Sequence, residues 1–206
     1  MKRIGFVWAV LVVVMALPLA VWGADSASAV APLQTLCAAC SEGDFAAARA
    51  ILPSVKNLNG ECKTPPEHVG ISPLCLAAKR IQPAIVRMLL SRHADPNFAI
   101  TINGDFKTFP PVLWVARAHS GNFAGEKDVI EALLWAGADI DQTDEMGETA
   151  LICAAADGDL PLVLYLLKNH ANINATTKYE HRTALYYARK GAHLETVRAL
   201  MDLGAK

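Results

Sequence analysis

The residues whose types and spacing could do chemistry in this chain are its five cysteines, at positions 37, 40, 62, 75 and 153. Cys37-Ala38-Ala39-Cys40 is formally a Cys-x-x-Cys. In oxidoreductases that motif works at an exposed helix N-terminus, which lowers the pKa of the attacking thiol. Cys37, Cys40, Cys62 and Cys75 with His68 would also supply enough ligands for zinc, but at irregular spacing. Asp157-Gly158-Asp159 brings two carboxylates together between two apolar runs, where glycine and aspartate are turn formers. Asn174-Ala175-Thr176 is a formal glycosylation acceptor. There is no Gly-x-Ser-x-Gly, no His-Glu-x-x-His and no phosphate-binding loop. The chemistry on offer points away from an enzyme, with no cofactor and no metal; a redox or oxidative-stress protein using Cys37 and Cys40 is the alternative.

The elements that must position these residues repeat. Thr149-Ala150-Leu151-Ile152-Cys153-Ala154-Ala155 recurs as Ser72-Pro73-Leu74-Cys75-Leu76-Ala77-Ala78, as Thr183-Ala184-Leu185-Tyr186-Tyr187-Ala188, and more weakly around Leu36 and Leu113. The leucines at 36, 74, 113, 151 and 185 lie 38, 39, 38 and 34 residues apart. Each copy leads to a second apolar run, ending at Leu52, Leu90, Leu134, Leu167 and Met201. Both runs have helical spacing, yet at about ten residues each is marginal alone, so the helices must pack on one another. Ser72 and Thr149 stand where a hydroxyl caps the first helix, and Pro73 follows at the first helical position. Ala77-Ala78 and Ala154-Ala155 are small enough to let neighbouring helices approach closely. The second helices of four copies end in His93-Ala94-Asp95, Gly137-Ala138-Asp139, His170-Ala171-Asn172 and Gly204-Ala205-Lys206. A left-handed residue is needed there, supplied by glycine or tolerated by histidine.

On these motifs the chain resembles the ankyrin-repeat family, whose period is about 33 residues with a Thr-Pro-Leu-His signature. The resemblance covers residues 33–206, with repeats at about 33–58, 69–99, 106–141, 145–174 and 178–206, after a 1–23 targeting segment and a 24–32 linker. It implies an all-α solenoid of about five helix-turn-helix repeats with short hairpin loops, the first acting as an N-terminal cap. The signature histidine is absent: Cys37, Cys75, Trp114, Ile152 and Tyr186 stand in its place, so apolar packing must replace its polar stitching. Insertions at 57–69, 100–111 and 120–127 depart from the period. Phe98, Phe106, Phe109 and Phe123 lie in or beside them, as either a local mini-core or an exposed contact patch.

Stacked helices about 8–10 Å apart hold Cys37 and Cys75, which occupy equivalent positions, beyond the ~7 Å reach of a disulfide. Cys62, on the first insertion, reaches either of them, so the disulfide candidates are Cys37, Cys62 and Cys75. Cys40 and Cys153 read as small buried residues. The resemblance also implies where a partner sits: on the concave face, around the hairpin glycines and after the paired alanines. Carried over position by position, that selects His68, Val69, Ile71, Lys79 and Arg80, then Lys107, Thr108, Ala118 and His119. In the fourth repeat it selects Glu145, Met146, Glu148 and Asp157, and in the fifth Tyr179, Glu180, Arg182 and Lys190. Phe109 and His181 replace the hairpin glycine of their repeats. The mixed signs suit one shaped protein partner.

Lys2 and Arg3, followed by an apolar stretch from Ile4 to Trp22 and then small residues, read as an export signal. The stretch approaches the ~20 residues that span a bilayer, so an uncleaved anchor, and with it a membrane-tethered scaffold, is the alternative. Without Lys2 and Arg3 the chain carries 17 basic against 20 acidic side chains, and no basic face suggests nucleic acid. The expectation is a non-enzymatic binder of another protein, exported to a bacterial periplasm or secreted. Its sharper form is neutralisation of a toxin or enzyme there.

Overall fold

The computed structural model describes residues 24–62, 71–99 and 109–206. The expected export signal, and most of the first two insertions, lie outside the described residues.

Among the described residues the chain forms ten α-helices in five antiparallel pairs. The first helices are α1 (Ala24–Glu42), α3 (Pro73–Lys79), α5 (Pro111–Ala116), α7 (Ala150–Asp157) and α9 (Ala184–Lys190). The second helices are α2 (Phe45–Ile51), α4 (Pro83–Leu90), α6 (Phe123–Trp135), α8 (Leu160–Lys168) and α10 (Leu194–Asp202). First helices stack in series, α1 on α3 on α5 on α7 on α9, and second helices stack as a parallel file. The only pairings of β type among these residues are two isolated bridges, Cys62 with Ile71 and Thr176 with Thr183. One continuous core runs the length of the pile, through Leu36, Leu74, Leu113, Leu151 and Leu185. Those are the five leucines that mark the sequence period.

Capping decides where the first helices start. Ser72 Oγ accepts from the Cys75 N–H at 3.1 Å and Thr149 Oγ1 from the Ile152 N–H at 3.3 Å, as the hydroxyl positions suggest. The paired alanines Ala77, Ala78, Ala154 and Ala155 are fully buried between the files. The turn residues take the backbone their positions demand. His93 and His170 have φ of 63° and 68°, beside 89° and 90° at Gly137 and Gly204. His119 and His181 also stand at positive φ, 46° and 49°, so four of the six histidines are turn residues. At Gly158 (φ 74°) glycine is required twice over, because an added Cβ would lie 2.3 Å from the His193 ring.

Residues 24–32, expected as a linker, are helical, since α1 begins at Ala24. The third insertion is mostly not loop: Phe123 to Lys127 form the first turn of α6, with Asn122 Oδ1 accepting from the Gly125 N–H at 3.1 Å. The extra turn is held by packing, Phe123 edge-on to Tyr165 of α8 at 6.1 Å.

The turns between second helices and hairpins carry a ladder. Asn57, Asp95, Asp139 and Asn172 each accept, through Oδ1, the N–H two residues on. The next side chain of each Asx-x-Asx reaches into the following repeat: Asn59 Oδ1 to Asp95 N–H (3.1 Å), Asn97 Oδ1 to Asp139 N–H (2.8 Å), Asp141 Oδ1 to Asn172 N–H (2.8 Å) and Asn174 Oδ1 to Lys206 N–H (2.9 Å). The amide of the formal glycosylation acceptor, Asn174, is thus engaged in the stack.

Candidate functional site: the hairpin and first-helix face

The cysteines resolve first, because they decide whether the chain has redox chemistry. Cys62 is bonded to Cys37, with Cα atoms 5.6 Å apart. The insertion returns to the stack at this point, the Cys62 N–H donating to the Ile71 carbonyl at 2.8 Å. Cys75 is not the partner: it is a buried free thiol directed at the Phe98 and Phe109 carbonyls, 3.6 and 3.7 Å away. Cys40 and Cys153 are buried free thiols as well. Burial pushes the Cys40, Cys75 and Cys153 thiols up from 9.0 to about 12. A redox pair needs a thiolate at an open helix N-terminus. Here one member of Cys37-x-x-Cys40 is already bonded elsewhere and the other is the opposite of activated. The zinc set fares similarly, with Cys37 and Cys62 consumed and His68 outside the described residues.

The face formed by the hairpins and first helices is lined by cations lying on aromatic rings. Lys79 Nζ sits 4.7 Å from the Trp114 ring, Arg117 lies 4.6 Å over Phe109, and Arg182 lies 4.5 Å over Tyr186. Phe109 and Trp114 pack edge to face at 5.1 Å, and Tyr186 and Tyr187 at 5.4 Å. Phe109 is therefore part of a packed cluster against the core and not a free loop aromatic.

At the centre of this face, Arg117 bridges Asp144 (3.2 Å) and Glu148. The Asp144 side chain is only 3% exposed. Its Oδ1 accepts the N–H groups of Met146 and Glu148, both at 2.9 Å, so it builds the fourth hairpin from inside. Burial pushes the Glu148 carboxyl above its ordinary value; the Arg117 cation opposes that, and Asp144 adds to it. Glycine is required at 147, where φ is 75° and a Cβ would lie 2.6 Å from the Lys178 backbone nitrogen. The hairpins also interlock, the Lys178 N–H donating to the Met146 carbonyl at 2.8 Å.

The carried-over contact residues divide. Met146 and Tyr179 are exposed at the hairpin tips, 50% and 66%, with Glu180 beside them paired to Arg182 at 2.7 Å. A small cleft joins Met146, Glu148, Tyr179 and Tyr187 across the fourth and fifth repeats. Glu145 is half-buried in the same hairpin, and Arg80 and Lys190 are exposed after their first helices. His119 Nδ1 lies 3.2 Å from Asp157 Oδ2, a contact across the third and fourth repeats. Ile71 is a correction: at 3% exposure it belongs to the core and the Cys62 bridge, with no surface to offer. His68, Val69, Lys107 and Thr108 lie outside the described residues. Trp114, Arg117, Asp144 and Tyr186 were missed as components of the face. Trp114 and Tyr186 had a signal, since both replace the signature histidine at a position facing this side.

Comparison with known proteins agrees with the fold. The family profile described as ankyrin repeats (3 copies) matches residues 116–206. The chain is similar to Ankyrin repeat protein nuc-2 of Neurospora crassa, 34% identical over 135 residues, which are 65% of this chain and 11% of that protein. It is also similar to Ankyrin repeat and KH domain-containing protein mask-1 of Caenorhabditis elegans, 42% identical over 174 residues, 84% of this chain and 6% of that one. The chain thus spans a small fraction of the length of these curated relatives, one fungal and one from a nematode.

Proposed function

We propose that this ankyrin-repeat solenoid is a non-enzymatic protein-binding module whose partner lies across the hairpin tips and first helices of repeats four and five. The observation that carries the reading is the grouping of exposed Met146, Tyr179 and Tyr186, 50%, 66% and 40% exposed, around a charged and rigidly hydrogen-bonded pair of hairpins. Exposed aromatics on a preorganised scaffold give contact area at low entropic cost. Arg117, Glu148 and Arg182 are already neutralised within the chain, so they set shape more than charge.

The module works outside the cytosol, in a periplasm or as a secreted protein, where it neutralises a toxin or enzyme. Support comes from the Lys2-Arg3 start with its apolar stretch, and from a disulfide that an oxidising compartment sustains. Among the described residues no helix is long and apolar enough to cross a membrane. Whether Ile4 to Trp22 is removed or kept as an anchor is read by N-terminal sequencing of the protein from its compartment.

The binding test is affinity capture from that compartment with the full chain and with Met146→Asp and Tyr179→Asp. A partner retained by the unaltered chain, and at least ten-fold depleted with either variant while thermal unfolding stays unchanged, supports the reading. A partner retained equally by both variants places the interface elsewhere.

A further inference from the structure

Second helices α4 and α6 border an open groove of about 490 Å³ on the face away from the hairpins, its apolar lining including Leu90, Ala132 and Ala136. Its charged walls are Arg87 on α4 and Asp128 and Glu131 on α6. Asp128, Glu131 and Trp135 follow one another at i, i+3 and i+7, so they line one stripe of α6. Trp135 lines the groove and is 86% exposed, more than any other large apolar residue on this face, the next being Leu194 of the last repeat, at 77%.

Charge and ring chemistry say what would cover it. Arg87 and Asp128 neutralise each other at 3.5 Å, whereas among the described residues Glu131 has no ion-pair partner. The C-terminal carbonyl end of α6, at Ala136, adds partial negative charge beside the indole. On the opposite face this chain repeatedly seats a cation on an aromatic ring: Lys79 on Trp114, Arg117 on Phe109, Lys178 on Tyr179 and Arg182 on Tyr186. Trp135 presents the same kind of ring with a carboxylate one turn away and, among the described residues, no cation over it. Indole is the best such platform, and tryptophan is among the residues most enriched at binding hot spots.

We propose that the α4–α6 groove is a second docking surface, taking a partner-protein segment in which an arginine or lysine is flanked by apolar side chains. The cation lies on Trp135 and pairs with Glu131, while a neighbouring apolar side chain packs against Leu90, Ala132 and Ala136. The surface is separate from the hairpin face, so the two can be occupied at once and lost independently.

The test uses the full chain and a blocked peptide of alternating leucine and arginine, followed by tryptophan fluorescence and by heat of binding. The expected result is saturable binding, weakened at least ten-fold by Glu131→Lys and several-fold by Trp135→Phe, which also abolishes the fluorescence change. Glu195→Lys, the same charge change on α10, and Tyr179→Asp on the hairpin face leave it unaltered, and a leucine–glutamate peptide does not bind. Circular dichroism melts of the variants establish that each is folded. Absence of saturable binding, equal binding of both peptides, or full affinity in Glu131→Lys overturns the proposal. Loss in Tyr179→Asp alone overturns it too, by moving the peptide to the hairpin face while leaving the protein-binding reading intact.

Discussion

Individual side chains in this chain do structural work that resembles chemistry only at the level of spacing. The three free thiols show this best. Cys40, Cys75 and Cys153 are held neutral by desolvation, with pKa raised from 9.0 to about 12. In the unfolded chain they ionise near 9, so between pH 9 and 12 the unfolded state holds fewer protons than the folded one. Stability contributed by the buried neutral thiols is therefore complete below pH 9 and is lost as pH climbs toward 12. Chemical denaturation at pH 7, 9 and 10.5 should show a falling midpoint, and replacing Cys40 and Cys75 by alanine should flatten that fall. In the native state at pH 8 a thiol reagent should label almost none of the three, and in denaturant all of them. Prompt native labelling would reinstate a reactive-cysteine role.

Helices of six to nine residues, such as α3, α5, α8 and α10, gain their order from neighbours, and the turns between them supply much of the register. Asn97 is the clearest case. Its Oδ1 accepts the Asp139 N–H at 2.8 Å, and its Nδ2 donates to the Gly137 carbonyl at 3.0 Å, so one side chain joins the second repeat to the third. Asn97→Ala leaves both backbone groups without that partner, at a cost of about 1–3 kcal/mol, moderated by water at this exposed turn. Urea unfolding with an unchanged slope and a lowered midpoint would show it; an unchanged midpoint would mean that solvent replaces the ladder fully. The αL residues His93 and His170 act on the same elements differently, ending α4 and α8 at some backbone strain where glycine would cost none.

The whole molecule is a pile in which each layer touches only the next, so stability passes along it locally. The Cys37–Cys62 bond closes a 25-residue separation around the first repeat and anchors the returning insertion against Ile71. Loop-closure entropy puts its contribution at about 3 kcal/mol, concentrated in the first two layers. Reduction, or a Cys37→Ser and Cys62→Ser pair, should speed amide exchange in α1 to α4 and leave α7 to α10 close to their original protection. Uniform loss across all five layers would mean that the array unfolds as one cooperative unit. The two faces of the pile also differ in kind. The hairpin side has its cations seated on its own rings, while the second-helix side leaves Trp135 open beside Glu131.

Much of this was legible along the chain because it is written in short windows. The period of the leucines, the hydroxyl before α3, α7 and α9, the paired alanines and the glycine or histidine turns all specify backbone conformation or packing within a few residues. So does the Asx-x-Asx of each turn, although its reach into the next repeat is not visible without the stack. What only the tertiary structure decided are matters of which side chain meets which across layers. Cys62 could approach two first helices, and the path of the insertion settled on Cys37; Ile71, adjacent to a hairpin in sequence, was drawn into the core by that same return. Arg117 occupies the position that Ala78 and Ala155 hold in the second and fourth repeats, and it is tolerable there because Asp144 and Glu148 arrive from the next repeat. Local propensity determines where helices and turns fall, whereas the pairing of buried charges, thiols and rings depends on distances between segments that sequence spacing does not contain.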